Sequence, residues 1–228
     1  MGSRAVVVIC RDQETVRRRF GVTQNELGIC YTRTGRRFFS NPVLECEFLA
    51  RIAGAIESSG LWESLNTSWP ALDCELMPWS AKAQELLAQQ YAPAGAAGRA
   101  ALPHAIALLR QTKDRQPQVA TLLDSYEKRA IMVSQYVDAY RHYCWPVQSL
   151  LDLKLAPFHL LASEGAVHSN KDHLWHMEQA AKLATAEPQL ILATPYRTVE
   201  LNNDASEQEA IVWWEKLTRV AKGWWSSL

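Results

Sequence analysis

Apolar and polar positions change their period several times along the chain, and each change predicts an element. Ala5–Cys10 is an unbroken apolar run that predicts a buried strand; its start so near residue 1 implies a domain that begins earlier. Arg11–Phe20 is polar and predicts a short helix or turn. Gly28–Thr32 and Arg37–Phe39 flank Thr34-Gly35, the pattern of a hairpin. Asn41-Pro42 then supplies a helix cap and a first-turn proline. Leu44, Phe48, Ile52 and Ile56 follow at helical spacing, with an end expected near Gly60. Trp69–Met77 predicts another strand.

The texture changes at Ser80. Residues 81–111 are rich in Ala, Leu and Gln, and Pro93 with the Gly95–Gly98 region predicts a break in the first helix. Val119, Leu122, Tyr126, Ala130, Val133, Val137 and Tyr140 form the seam of a second, amphipathic helix. Gln116-Pro117 separates the two, so 80–147 is expected to be a helical hairpin inserted in a sheet domain. Leu151, Leu153 and Leu155 alternate with Asp152 and Lys154, which restores strand character. A helix over 171–186 follows, with Asp172 as its cap. Strands are predicted at Leu190–Thr194 and Arg197–Leu201, then a helix over Ala205–Thr218. The order of strands, helices and strands again predicts an α+β fold with an insertion. Its parts are 1–79, the insert 80–147, 148–218, and a tail 219–228.

Composition narrows the function. The 228 residues balance 24 basic against 24 acidic side chains, which does not suggest a chain that coats nucleic acid. The charge is uneven, however. Residues 1–40 carry eight arginines (Arg4, Arg11, Arg17, Arg18, Arg19, Arg33, Arg36, Arg37) against Asp12, Glu14 and Glu26. Guanidinium forks bind phosphates, although the same pattern fits a solvated, salt-bridged face. The five cysteines are scattered, without a C-x-x-C, and read as reduced thiols. Residues 5–10 are too short for a membrane span and lack signal-peptide flanks, so a cytoplasmic location is expected. The sequence has neither a G-x-x-x-x-G-K-[ST] phosphate loop nor a G-x-S-x-G elbow, which excludes a P-loop kinase and an elbow-type hydrolase.

Four segments carry candidate chemistry. Gly2-Ser3-Arg4 has no meaning by itself. Tyr31–Phe39 holds Arg33, Arg36 and Arg37 on a hairpin, suited to phosphate or simply an exposed basic turn. In Leu72–Trp79, Asp73 and Glu75 share one strand face, which costs energy unless a ligand, a metal or an arginine meets them. In Leu155–Leu161, Phe158 can stack on a base or pack in the core. His168, His173 and His176 invite a metal reading, but no acid cluster accompanies them. Of the tryptophan pairs, Trp213-Trp214 lies in a helix with one ring expected in the core. Trp224-Trp225 lies in a tail with no helical or strand pattern.

Taken together, these segments resemble one family. Met-Gly-Ser-Arg-Ala-Val-Val-Val-Ile-Cys-Arg-Asp, Cys-Tyr-Thr-Arg-Thr-Gly-Arg-Arg-Phe-Phe and Leu-Asp-Cys-Glu-Leu-Met-Pro-Trp-Ser-Ala-Lys-Ala-Gln-Glu-Leu-Leu resemble the ligase domain of bacterial polynucleotide kinase-phosphatase. Leu-Ala-Pro-Phe-His-Leu-Leu-Ala-Ser-Glu-Gly and Asn-Lys-Asp-His-Leu-Trp-His-Met do so too, and the likeness runs in order from residue 1 to about 218. It implies a partial ligase-type nucleotidyltransferase core, unrelated to ATP-grasp, with an inserted helical module. It implies ATP with a divalent metal (Mg or Mn) and formation of a lysyl-adenylate by nucleophilic catalysis in RNA end repair. The partners implied are RNA ends, ATP, the kinase and phosphatase domains of the full-length protein, and a 3′-terminal RNA methyltransferase.

Position by position, Met1-Gly2-Ser3-Arg4 matches the end of the K-x-D-G-x-R motif, with Met at the Asp position. Arg4 is then the motif arginine near the nucleotide, and the nucleophilic lysine belongs two residues before Met1, so the chain itself offers no catalytic residue. Glu75 matches the acid expected near the ribose, Phe158 the aromatic expected on adenine, and Arg33, Arg36 and Arg37 the arginine-bearing hairpin. After Thr218 the family continues Gly-Glu-Gly-Met-Val-Val-Lys-Pro, whereas here Ala-Lys-Gly-Trp-Trp-Ser-Ser-Leu follows from Ala221, a string that a one-base frame shift would produce. The expectation is therefore a truncated ligase-domain fragment, inactive alone. Its rivals are a complementing subunit of a split ligase and a non-catalytic nucleotide-binding, RNA-binding or helical interaction module built around 80–147.

Overall fold

A computed structural model describes the chain apart from residues 1, 25, 80, 82–85, 143, 146 and 225–228, and leaves undescribed the side chains of residues 140, 142 and 219–224. Two compact units divide it, Met1–Ala193 and Thr194–Leu228. The limits at 79/80 and 147/148 expected from sequence texture both lie inside the first unit.

The first unit is built on five antiparallel strands: β1 (Ser3–Ile9), β2 (Gly28–Thr32), β3 (Pro70–Met77), β4 (Lys154–Ser163) and β5 (Ala166–Val167), in the spatial order β2-β1-β3-β4-β5. Alternation gives the sheet two different faces. Ala5, Val7 and Ile9 of β1, Cys30 of β2, Leu72, Cys74 and Leu76 of β3, and Leu155 and Leu160 of β4 are buried on one side. There they meet Phe48, Leu49, Ile52 and Ile56 of helix α2 (Pro42–Ser58) and Leu183 of a later helix in one continuous core. On the other side Arg4, Val6, Val8, Ile29, Tyr31, Glu75, Ala156 and Phe158 are half-buried or exposed.

Short-range chemistry sets most boundaries. Helix α1 (Gln13–Phe20) starts where Asp12 accepts the Thr15 N–H at 2.7 Å and ends on Gly21 at φ 67°. Asn41 caps α2 by accepting from Val43 and Leu44, with Pro42 in the first turn, as the sequence predicts. After the short α3 (Leu61–Ser64) and β3, the insert consists of a π turn at Leu87–Tyr91, α4 (Ala92–Lys113) and α5 (Ala120–His142). Pro93 and the Gly95–Gly98 region do not break α4. Pro93 occupies its first turn, where no intrahelical N–H is needed, and Gly98 lets α5 approach, since a Cβ there would meet Val133 Cγ1 at 3.0 Å.

Several expectations are corrected. The second strand of the Thr34-Gly35 hairpin reduces to a single bridge, Tyr31 to Arg37, because Phe38 turns into the core and donates its N–H to the Cys30 carbonyl. In α5 the seam holds at Tyr126, Ala130, Val133 and the buried Val137, but near its start Leu123 is buried in place of Leu122, which is 47% exposed; Tyr140 of that seam lies outside the described side chains. Leu150–Asp152 is a 3-10 turn held by Asp152 on the Ser149 N–H at 2.8 Å, so β4 starts only at Lys154 and Leu151 is exposed. Leu190–Thr194 contributes one parallel bridge, Ile191 to Leu155, and Arg197–Leu201 forms no strand. Helix α6 (His173–Ala186) follows prediction, with Asp172 accepting from Trp175 N at 2.8 Å.

The second unit is a stretch without regular secondary structure followed by α7 (Asp204–Trp224). Asn203 accepts the Ser206 N–H at 3.2 Å at the start of α7, and Arg197 pairs with Glu209. Trp224, expected outside any regular pattern, belongs to α7; Trp225 and the rest of the tail lie outside the described residues. Neither Trp213 nor Trp214 is buried, which corrects the expected core ring. Among the described residues no helix is long and apolar enough to cross a membrane.

Candidate nucleotide site

The face of the sheet opposite α2 brings together three segments that are far apart in sequence. Antiparallel pairing puts Arg4 directly across from Glu75, Val6 across from Asp73, and Glu75 across from Ala156. The β3–β4 register slips between Asp73 and Cys74: Asp73 pairs with His159 and Cys74 with Pro157, so Phe158 is the unpaired residue of a bulge. Phe158 is thereby half-exposed, one strand from the two carboxylates, with its ring edge-on to His159 at 5.4 Å. Arg4, Glu75 and Phe158, which the family resemblance matches to contacts with a nucleotide, therefore stand on neighbouring strands of one sheet.

The two carboxylates of β3 have different partners. Asp73, 1% exposed, is met by Arg4, whose Nε donates to Oδ1 at 2.9 Å and whose Nη2 donates to Oδ2. That hydrogen bond, and then the charge of Asp73, raises the Arg4 pKa above its ordinary value. Glu75 is half-buried and accepts the Gly2 N–H on Oε1. An arginine edge, a carboxylate and an aromatic ring on an open sheet match the groups of a nucleotide: phosphate or hydroxyl oxygens, a ribose hydroxyl and a base.

The arginines of the hairpin separate. Arg37 donates to Glu26 Oε2 at 2.6 Å and lies 3.2 Å from Glu45 Oε2. Burial works against its charge, but the bond to Glu26 and the charges of Glu45 and Glu26 raise its pKa overall. Arg37 is thus committed to the fold. Arg33 and Arg36 are exposed and form no ion pair with a described residue. Arg36 lines a cavity of about 480 Å³ together with Phe39, Asn41, Leu44, Val147 and Leu153.

The histidines assemble differently from the expected set. His159 of β4 joins His176 and His173 of α6, with ring centres 4.7 and 5.6 Å away, while His168 sits apart against Ser163 Oγ at 2.9 Å and Trp175. Among the described residues no group of three His, Cys, Asp or Glu side chains could hold a metal ion. His159 was absent from the expected histidine set, whereas Asp73 was singled out with Glu75 as needing a ligand, a metal or an arginine. The signal for Asp73 was its two-residue spacing from Glu75; only the register reveals Arg4 as its partner. None of the five cysteines is in a disulfide, and burial pushes the Cys10 thiol up to about 11 and raises that of Cys74 well above its ordinary value, so neither is a ready nucleophile at neutral pH.

An antiparallel sheet backed by helices on one face, with this set of groups on the other, defines a protein of mixed α and β structure in the manner of ligase-type nucleotidyltransferases. The chain belongs to the family described as PNKP adenylyltransferase domain, ligase domain, which it matches over residues 1–223. Among solved structures, a chain of the Pnkp1/Rnl/Hen1 complex is 13% identical with a TM-score of 0.59, over 97% of this chain and 58% of that one. A chain of the Pnkp1/Rnl/Hen1 RNA repair complex is 11% identical with a TM-score of 0.51, over 94% and 56%. At such identities the likeness is one of fold, and this chain spans a little over half the length of those two. No curated protein matches the sequence.

Proposed function

We propose that the open sheet face binds ATP as part of an RNA-repair ligase adenylyltransferase. The observation that supports this most directly is the Arg4 guanidinium, 52% exposed and fixed beside Glu75 in a chain of the PNKP ligase family. On this reading Glu75 accepts a ribose hydroxyl, Phe158 stacks on adenine, and Arg33 and Arg36 attract phosphates of nucleotide or RNA. The open face, with its aromatic ring and arginine edge, fits a nucleotide. Among the described residues no three His, Cys, Asp or Glu side chains gather to hold a divalent metal.

We infer that none of the 228 residues takes the place of the nucleophilic lysine that the family pattern requires, so this chain binds nucleotide without becoming adenylated. The same proposal covers its context: RNA ends as substrate, kinase and phosphatase domains alongside, and a Hen1-type methyltransferase as assembly partner.

The test is calorimetric titration with ATP. Binding that weakens about tenfold in Glu75→Ala and in Phe158→Ala supports the reading. Failure of the intact chain to bind ATP at millimolar concentration, while folded, sinks it.

A further inference from the structure

The nucleotide reading gives roles to Arg4, Glu75 and Phe158 and leaves Asp73 without one. Asp73 is 1% exposed, so no ligand reaches it, yet both its oxygens are taken by an arginine whose side chain is half in solvent. A buried carboxylate is costly unless paired, so its presence under this face calls for a reason.

The register supplies one. Arg4 stands directly across from Glu75, while Asp73 is its diagonal neighbour, two residues along β3 on the same face. Arg4 nevertheless reaches along the diagonal and grips Asp73 with the side edge of its guanidinium, Nε and Nη2. Arginine has five N–H donors in a rigid plane. The side-on grip uses one on Nε and one on Nη2, which leaves both on Nη1 and the second on Nη2. Of those three, one on Nη1 and one on Nη2 form the outer edge of the plane, and the other Nη1–H points back along the side-chain stem. Had Arg4 paired with Glu75 instead, that half-buried carboxylate would be neutralised and the arginine edge turned toward it.

We propose that Asp73 is a positioning residue: its buried carboxylate holds Arg4 side-on, presenting the outer guanidinium edge to the oxygens of a bound nucleotide and keeping Glu75 available to a hydroxyl. The inference rests on the reading of this face as a nucleotide site. Asp73 touches no ligand and acts through Arg4 alone. Lysine could not replace Arg4, because an ammonium is a point charge with no second edge to present.

The test is a double-mutant cycle on the full chain, read by ATP titration and checked by thermal unfolding. Asp73→Asn keeps the volume and one acceptor but loses the bidentate grip, and is expected to weaken ATP binding about tenfold. Arg4→Ala should weaken it at least as much, and the double variant no further than Arg4→Ala. Arg4→Lys, which keeps a cation beside Asp73 and is checked by the same thermal unfolding, should also lose about tenfold. Losses from Asp73→Asn and Arg4→Ala that simply multiply would make Asp73 structural and overturn the proposal, as would wild-type affinity in Arg4→Lys. If Glu75→Ala and Phe158→Ala weaken binding while Asp73→Asn does not, the nucleotide site stands and only the role of Asp73 falls. If the folded chain binds no ATP at all, both fall together.

Discussion

Leu160 of β4 donates its backbone N–H to Nδ1 of His176 on α6 at 3.2 Å, in the buried seam between sheet and helix. That bond is possible only while Nδ1 is unprotonated, so the fold selects a neutral imidazole with its proton on Nε2. Phe158 lies two residues away on the same strand, which ties the protonation of a core histidine to the strand that carries the aromatic ring.

The pH dependence of stability follows from this bond. Burial, and then the nearby His159, His173 and His168, lower the His176 pKa, with Asp172 acting weakly the other way; burial and then Lys171 lower that of His168. A base whose folded pKa lies below its unfolded value binds its proton more readily when unfolded. Its stabilisation is full above about pH 6.5 and is lost as pH falls through the folded pKa. Thermal unfolding should therefore show a lower midpoint at pH 5.5 than at 7.5, with a shallower dependence in His176→Gln. An equal slope in the variant would mean that other groups govern the response.

Glu45 is buried at 3% exposure, accepts the Cys30 N–H at 3.0 Å and faces Arg37. Glu45→Ala removes the acceptor of the Cys30 N–H and a partner of Arg37 and should cost about 1–3 kcal/mol, whereas Glu45→Gln keeps an acceptor and should cost less. Burial, and more weakly the charge of Glu26, raise the Glu45 pKa despite the opposing Cys30 N–H and Arg37. Urea denaturation of the two variants checks the order.

The Asn41 cap serves α2, the helix that backs the sheet. Asn41→Ala should destabilise by about 1 kcal/mol with an unchanged urea m-value, because only a cap is lost. A loss several times larger would show that Asn41 does more than cap the helix.

Gly98 faces Val133 across the helical hairpin, with Val133 Cγ1 and Cγ2 at 3.0 and 3.1 Å from where a Cβ would stand. Valine is stiff and cannot easily turn away. Gly98→Val should cost about 1–3 kcal/mol by overpacking, even though glycine is a poor helix former. Stabilisation instead would mean that α4 and α5 separate without penalty.

Arg33→Ala and Arg36→Ala should leave the unfolding midpoint unchanged, since neither pairs with a described residue, and should lower affinity for a short RNA while flattening its salt dependence. Arg37→Ala should act in the opposite sense, lowering stability through Glu26 and Glu45. Equal effects of all three on RNA binding alone would contradict the division of roles.

The sequence by itself determined whatever depends on neighbours within a few residues. The Asn41-Pro42 start of α2, the Asp172 cap of α6, the run of β1 and the helical pair between β3 and β4 were all legible there, because caps, prolines and hydrophobic periods act locally. Gly2-Ser3-Arg4, Glu75 and Phe158 were legible as motif residues, through their likeness to a family. The tertiary structure alone decided which groups meet. Leu153 and Leu155 alternate as strand residues do, yet Asp152 closes a turn before β4, and Arg197–Leu201 finds no strand to pair with, since a ladder needs a partner that a local pattern cannot specify. Asp73 and Glu75 are equivalent by alternation. Only the pairing of β1 on β3 gives one of them Arg4 and burial, and leaves the other facing the open side of the sheet.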